Sequence, residues 1–132
     1  MPARFVTAEN MIVEQLPWGP HDWLCRPGLT EAELLQLVRV HIPPGQGHAF
    51  HRHPEFEEII YVVSGTCEQW VDKEKRIMKP GESAHIPMNM VHGSYNAGKE
   101  TMVLLAILSP AKIKGPPLVD VSMEEPWKSL RK

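Results

Sequence analysis

Proline and glycine break this chain too often for it to be helical. Thirteen prolines and nine glycines are spread over 132 residues, and no helical pattern of ordinary length survives between them, because proline lacks an amide hydrogen and clashes with the preceding turn. Strands of five to eight residues do survive. The sequence therefore predicts an all-β domain with strands at 35–42, 56–63, 66–71, 83–86, 91–95 and 101–108. The intervening segments have turn chemistry: "PPGQG" ahead of a histidine cluster, "SG" after the long second strand, "KPG" at 79–81 and "NAG" at 96–98. Their spacing is that of a sandwich or small barrel. In "TEAELLQL", Thr30 is followed three places later by Glu33, a capping-box pattern that could open a short helical turn instead.

The length suits one domain over 1–132, and 42% hydrophobic residues are enough for one core. Fourteen Lys and Arg against 16 Asp and Glu give a net charge of −2. With neither a basic stripe nor an acidic tail, nucleic acid and membrane are not expected as partners. The longest apolar run, "MVLLAIL" at 102–108, is far shorter than the ~20 residues of a spanning helix. The start "MPARFVTAEN" lacks the pattern of a signal peptide, so a cytoplasmic location is expected. Cys25 and Cys67 have no metal or redox spacing and read as reduced thiols. Residues 1–30 and 109–132 are proline-rich and poorly periodic, which predicts extended arms. Trp18, Trp23 and Trp127 give those arms something to bury, on their own barrel or on a neighbouring subunit.

The segment "PGQGHAFHRHPEFEEIIYVVSG" puts imidazoles and carboxylates beside an apolar strand. Alternate residues of a strand face one side, so His51 and His53 can present both rings together. Pro54 forces a turn that resets the parity. In the next strand Glu58 shares a face with Ile60 and Val62, and Glu57 with Ile59 and Tyr61. If Ile60 and Val62 line the interior, Glu58 points inward, where a carboxylate is costly unless paired or coordinated. A divalent cation held with neutral imidazoles supplies that compensation. Downstream, in "GESAHIPMNMVHGSYN", His92 offers a fourth ligand. Glu57 is the alternative to Glu58, with parity and spacing against it.

These two clusters resemble the paired motifs of the cupin superfamily. Gly45, His51, His53, Glu58 and Gly65 stand at the spacing of the first motif, and Gly81, Pro87, His92 and Asn96 at that of the second. Asn89 departs from it, standing where the motif has its second glycine. Asparagine tolerates positive φ better than most residues, so His92 keeps its place in the pattern. The resemblance covers about 35–108 and leaves the arms outside. It implies a double-stranded β-helix, or jelly roll, holding one divalent transition metal per chain (Fe, Mn, Ni, Cu or Zn) on His51, His53, Glu58 and His92. It further implies a homodimer, with an activity among dioxygenases, decarboxylases, isomerases and epimerases, or none.

Other residues carry weaker expectations. His41, His48 and His85 read as structural or surface histidines that could back the metal-bound rings; His21 has no partner pattern. Cys67, Gln69 and Val71 are expected inward, which makes Gln69, beside Glu58, a candidate to touch substrate. Thr66, Glu68 and Trp70 are expected outward, and Trp70 with Tyr61 hints at a subunit or arm contact. Met88, Met90 and Met102 read as core filling, 72–76 as a charged hairpin turn, and Arg39 as the one basic residue suited to anchor an anion. The leading functional expectation is a metal-dependent, oxygenase-type enzyme acting on a small organic molecule. A non-catalytic metal or ligand-binding module is the alternative, and a sugar isomerase or epimerase a weaker one.

Overall fold

The computed structural model describes residues 2–131. Its elements are β1 (Ile12–Leu16), β2 (Gly19–Cys25), β3 (Gln36–Ile42), β4 (Gly47–Arg52), β5 (Glu57–Ser64), β6 (Cys67–Val71), β7 (Glu74–Met78), β8 (Ser83–Ile86), β9 (His92–Asn96), β10 (Met102–Ser109), β11 (Val119–Asp120) and the short helix α1 (Trp127–Leu130). They form two antiparallel sheets, ordered β1-β2-β3-β10-β5-β8 and β11-β4-β9-β6-β7. Strands distant in sequence pair, β3 with β10 and β4 with β9, which wraps the chain into a double-stranded β-helix. No helix among the described residues is long and apolar enough to cross a membrane.

Period-two alternation places the core. β3 and β10 bury every second residue, and β5 buries Glu58, Ile60 and Val62 while Glu57, Ile59 and Tyr61 face out. Val38, Val40, Ile60, Val62, Leu104 and Ala106 meet Cys67 and Met78 of the opposite sheet, as in a face-to-face sandwich.

The six expected strands agree with the structure to within one residue at each end. The N-terminal region, expected as an extended arm, is extended but regular: β1 and β2 form a hairpin whose second strand pairs with β3 and widens the sheet. The C-terminal arm lies on its own barrel. β11 pairs with β4, and Val121, Trp127 and Leu130 pack with Phe50, Trp70 and Val91 in a second apolar cluster. Trp70 is thus an arm contact, and Tyr61 lies on the other sheet, away from it. The capping-box alternative is not used. Thr30 bridges to Ala3 and Pro27 and donates its hydroxyl to the Arg26 carbonyl (3.1 Å), while Glu33 pairs with Lys112 (2.8 Å). Within 72–76 only Asp72 and Lys73 turn, Asp72 with φ 52°, and β7 starts at Glu74.

Candidate metal centre

His51, near the end of β4, stands opposite His92, the first residue of β9, in the antiparallel register. Cross-strand neighbours share a face, and their ring centroids are 4.2 Å apart. His53, beyond β4, enters the turn that "HPEF" makes; its carbonyl accepts from the amides of Phe56 (3.3 Å) and Asn89 (3.0 Å). Its ring centroid lies 4.8 Å from that of His51 and 5.1 Å from that of His92. One ligand nitrogen from each of the three rings falls within 4.8 Å of the others. Glu58 reaches the same point from β5, with Oε1 2.9 Å from His92 Nε2 and 3.3 Å from His53 Nε2.

The second nitrogen of each ring is already engaged. His51 Nδ1 meets the Ala49 carbonyl at 2.6 Å, His53 Nδ1 the Pro117 carbonyl at 2.8 Å and His92 Nδ1 the Met90 carbonyl at 3.0 Å. A carbonyl only accepts, so these contacts place the proton on Nδ1 and aim each Nε2 lone pair at the shared point. His92 Nε2 and Glu58 Oε1 are buried without a hydrogen-bond partner. Despite their 2.9 Å separation they lack hydrogen-bond geometry, as expected of two lone-pair-bearing atoms that converge on a third centre. Three imidazoles and a carboxylate with orphaned, converging lone pairs fit a divalent metal ion.

The electrostatics of His51 and Glu58 agree with that fit, while His53 is drawn toward its charged form by the Glu58 carboxylate. Burial drives the His51 pKa well below the ordinary imidazole value, helped by the neighbouring rings of His48, His92 and His53, so His51 stays uncharged and ready to ligate. Burial pushes the Glu58 carboxyl up, but contacts to His53 and His92 outweigh it and hold the pKa well below the carboxylate range. For His53 burial lowers the pKa, while Glu58 and the Pro117 carbonyl raise it further than burial takes away.

The cluster sits at a cavity of about 400 Å³ between the sheets. Phe56, Ile60, Leu104 and Leu108 give it an apolar wall, and Glu58, His53 and Ser94 a polar end. His48 lines it too, stacked on His51 at 3.6 Å between centroids, with Trp18 stacked on its far side at 4.1 Å. His48 therefore backs the ring of His51 without supplying a hydrogen bond to it.

Other expected site residues lie elsewhere. Gln69 points inward, but its amide accepts from Ser94 Oγ (2.6 Å) and donates to the Trp70 carbonyl (3.0 Å). It does not line the cavity; Ser94 does. His41 and Arg39 both bind Asp22, at 2.7 and 2.9 Å, so Arg39 is occupied and unsuited to anchor a substrate. His85 pairs with Glu57 at the surface (2.7 Å), which removes Glu57 as a ligand candidate. Met102 is core and Met88 exposed. Cys25 and Cys67 are free thiols, and burial pushes Cys67 up to about 12. Cavity residues missed in the sequence reading are His21, Trp23, Arg26 and Gln36.

A cupin-domain family matches residues 38–108. The pectin degradation protein KdgF of Dickeya dadantii is 31% identical over 102 residues, which cover 76% of this chain and 92% of that protein. Among solved structures, KdgF from Halomonas sp. superposes with a TM-score of 0.70 at 23% identity, covering 85% of this chain and 96% of that one. Bacillus subtilis oxalate decarboxylase, a protein with Mn(II) centres, superposes with a TM-score of 0.71 at 21% identity, over 84% of this chain and 30% of that one. With the family match spanning more than half of its length, the chain belongs to the cupin family.

Proposed function

We propose that the chain is a metal-dependent enzyme that converts a small organic molecule bound in the barrel cavity, with oxygenase-type chemistry the leading form. The observation that supports this is the meeting of His51, His53, Glu58 and His92 at one end of a largely apolar cavity. Four protein ligands on a six-coordinate ion leave two positions for other groups. One divalent ion per chain, Fe, Mn, Ni, Cu or Zn, would supply Lewis acidity and, for the redox-active members, electron transfer. The protein's own residues do the rest. Nδ1 hydrogen bonds hold the three rings in place, Glu58 is ionised and can ligate or accept a proton, and Phe56, Ile60 and Leu108 keep water from the bound molecule.

A sugar isomerase or epimerase is the second reading, favoured by the likeness to KdgF, whose name places it in pectin degradation. A binding module without turnover would use the same residues. Elemental analysis of protein purified without added metal decides the first step. We expect about one divalent ion per chain and a higher Tm when it is present, both lost in a His51→Ala, His53→Ala variant. Ion-free protein under every metal supply would sink the proposal. Oxygen uptake by Fe(II)-loaded protein with diketones, catechols and thiols, against isomerisation of monosaccharides, then separates the readings. Tight ligand binding without turnover favours the module.

A further inference from the structure

A bulge in β2 turns Arg26 into the cavity. In a regular strand Trp23 and Cys25 would share a face and Arg26 would point the other way. The register against β3 shifts between Trp23, opposite Val38, and Cys25, opposite Leu37. The extra residue lets Trp23 and Arg26 line the same cavity. Arg26 follows the last residue of β2, and Gln36, the first residue of β3, precedes the Leu37 that pairs with Cys25; Gln36 also lines the cavity and is 8% exposed.

Both side chains lack a polar partner. The Arg26 guanidinium forms no ion pair among the described residues; it lies over the face of Trp23, 5.0 Å from the ring centroid. Gln36 makes no side-chain hydrogen bond among the described residues despite its burial. The acid nearest in sequence order on this wall, Glu14, accepts from Trp23 Nε1 at 3.0 Å. A guanidinium and an amide left open on an apolar wall are the polar groups that fix a ligand's orientation.

The sheet sets the ligand's reach. Gln36 pairs with Leu108, and Leu108 with Glu58, so Gln36 lies two strand spacings, roughly 10 Å, from Glu58, with Arg26 one strand further. Leu108, Phe56 and Trp23 line the space between. Resting on the metal-site reading above, we propose that the substrate is an amphiphilic carboxylate. Its metal-facing end carries oxygen, its apolar body lies along Leu108 and Trp23, and its carboxylate is received by Arg26 and Gln36. A planar monoanion suits one guanidinium and one amide, whereas a phosphate dianion would keep uncompensated charge. Arg26, Trp23 and Gln36 lie outside residues 38–108 matched by the cupin family, so this selectivity comes from the chain's own N-terminal wall.

Trp18 and Trp23 line the cavity, so tryptophan fluorescence reports occupancy. The test titrates 5-phenylpentanoate and 5-phenylpentanamide into chelator-stripped and into Zn(II)-loaded protein. The acid should bind about tenfold more tightly than the amide in both states, as a charge-assisted hydrogen bond supplies. Arg26→Gln should abolish that preference, Gln36→Leu should weaken the acid by about threefold, and Arg39→Gln on the outer face should change neither. Equal affinities, no binding of either probe at millimolar concentration, or a preference that persists in Arg26→Gln overturns the proposal. A preference seen only with Zn(II) puts the carboxylate on the ion, and the proposal falls while the metal site stands. A preference kept by protein that never binds metal supports the Arg26 site and removes the metal reading instead.

Discussion

Asn89 sits in the left-handed region, at φ 65°, at the position where the cupin motif has glycine. Its amide donates to the His53 carbonyl (3.0 Å) and its Oδ1 accepts from Arg52 Nη1 (2.8 Å), so this turn holds the peptide that carries one of the clustered imidazoles. Asn89→Ala keeps a Cβ in a conformation that costs L-residues about 1 kcal/mol and also loses the Arg52 contact. Asn89→Gly loses only the contact. Thermal melts should therefore show a larger drop in Tm for the alanine than for the glycine variant; equal drops would show that the backbone conformation is not what asparagine serves. That His51, His53, Glu58 and His92 come together was legible in the sequence because strand period and the spacing of the two motifs restrict which side chains can meet. The place of Arg26 was not, since it falls in the segment read as an extended arm and the bulge of β2 leaves no mark in "HDWLCR"; Gln36 was passed over although it alternates with the buried Val38 and Val40. For Gln69 parity gave the right face, yet which acceptor and donor its amide would find depends on β9, which places Ser94 beside it.

Among the elements, β3, β5, β6, β8, β9 and β10 were visible as strands and β1, β2, β4, β7 and β11 were not. β7, "EKRIM", exposes all but Met78, and its pairing with β6 rather than its own composition makes it a strand. β1 and β2 were hidden by Pro17 and Pro20 and by a buried Asp22, which is tolerable only because Arg39 and His41 of β3 bind it. The C-terminal segment was hidden for the same kind of reason, as its order comes from the face of the second sheet. Arg131 lies 3.7 Å over the ring of Tyr95 and grips both Glu68 oxygens, at 2.6 and 3.2 Å. Burial pushes the Glu68 carboxyl up, but hydrogen bonds from Arg131 and Trp70 outweigh it and lower the pKa. A depressed carboxylate pKa stabilises the fold fully above the unfolded-state value and loses that contribution as pH falls through the folded-state value. Arg131→Ala should thus cost on the order of 0.5 kcal/mol near neutrality, as partly exposed pairs do, with the gap in Tm between variant and parent closing as the pH falls below the ordinary carboxylate range. A gap independent of pH would assign the loss to packing on Tyr95 alone.

At the scale of the whole molecule, the two sheets end differently on their outer faces. The five-stranded sheet is covered by the chain's own C-terminal residues. Among the described residues, the six-stranded sheet carries no such cover. Ile59 (41% exposed), Tyr61 (40%) and Val63 (43%) face outward from β5. Beside them, in register, Ile59 pairs with Ile107 and Tyr61 with Leu105, and Ile107 in turn with Leu37. Polar groups flank this patch on both sides, Asp22, Arg39 and His41 along one edge and Ser83, His85 and Glu57 along the other. An apolar centre inside a polar rim has the anatomy of a protein interface, and contiguous exposed apolar surface of this kind is uncommon on monomers. We propose a second copy of this chain as its occupant, because a two-fold pairing buries the patch against itself and leaves the internally paired polar rim at the edge. Light scattering coupled to size exclusion should give the mass of two chains for the parent protein. Tyr61→Glu, which sets a charge at the centre of the patch opposite its own symmetry mate, should give one chain with the circular dichroism spectrum unchanged. Since the patch and the cavity lie on opposite faces of the same sheet, the monomeric variant should still bind metal with its original stoichiometry; a monomeric parent protein would leave the face without this role.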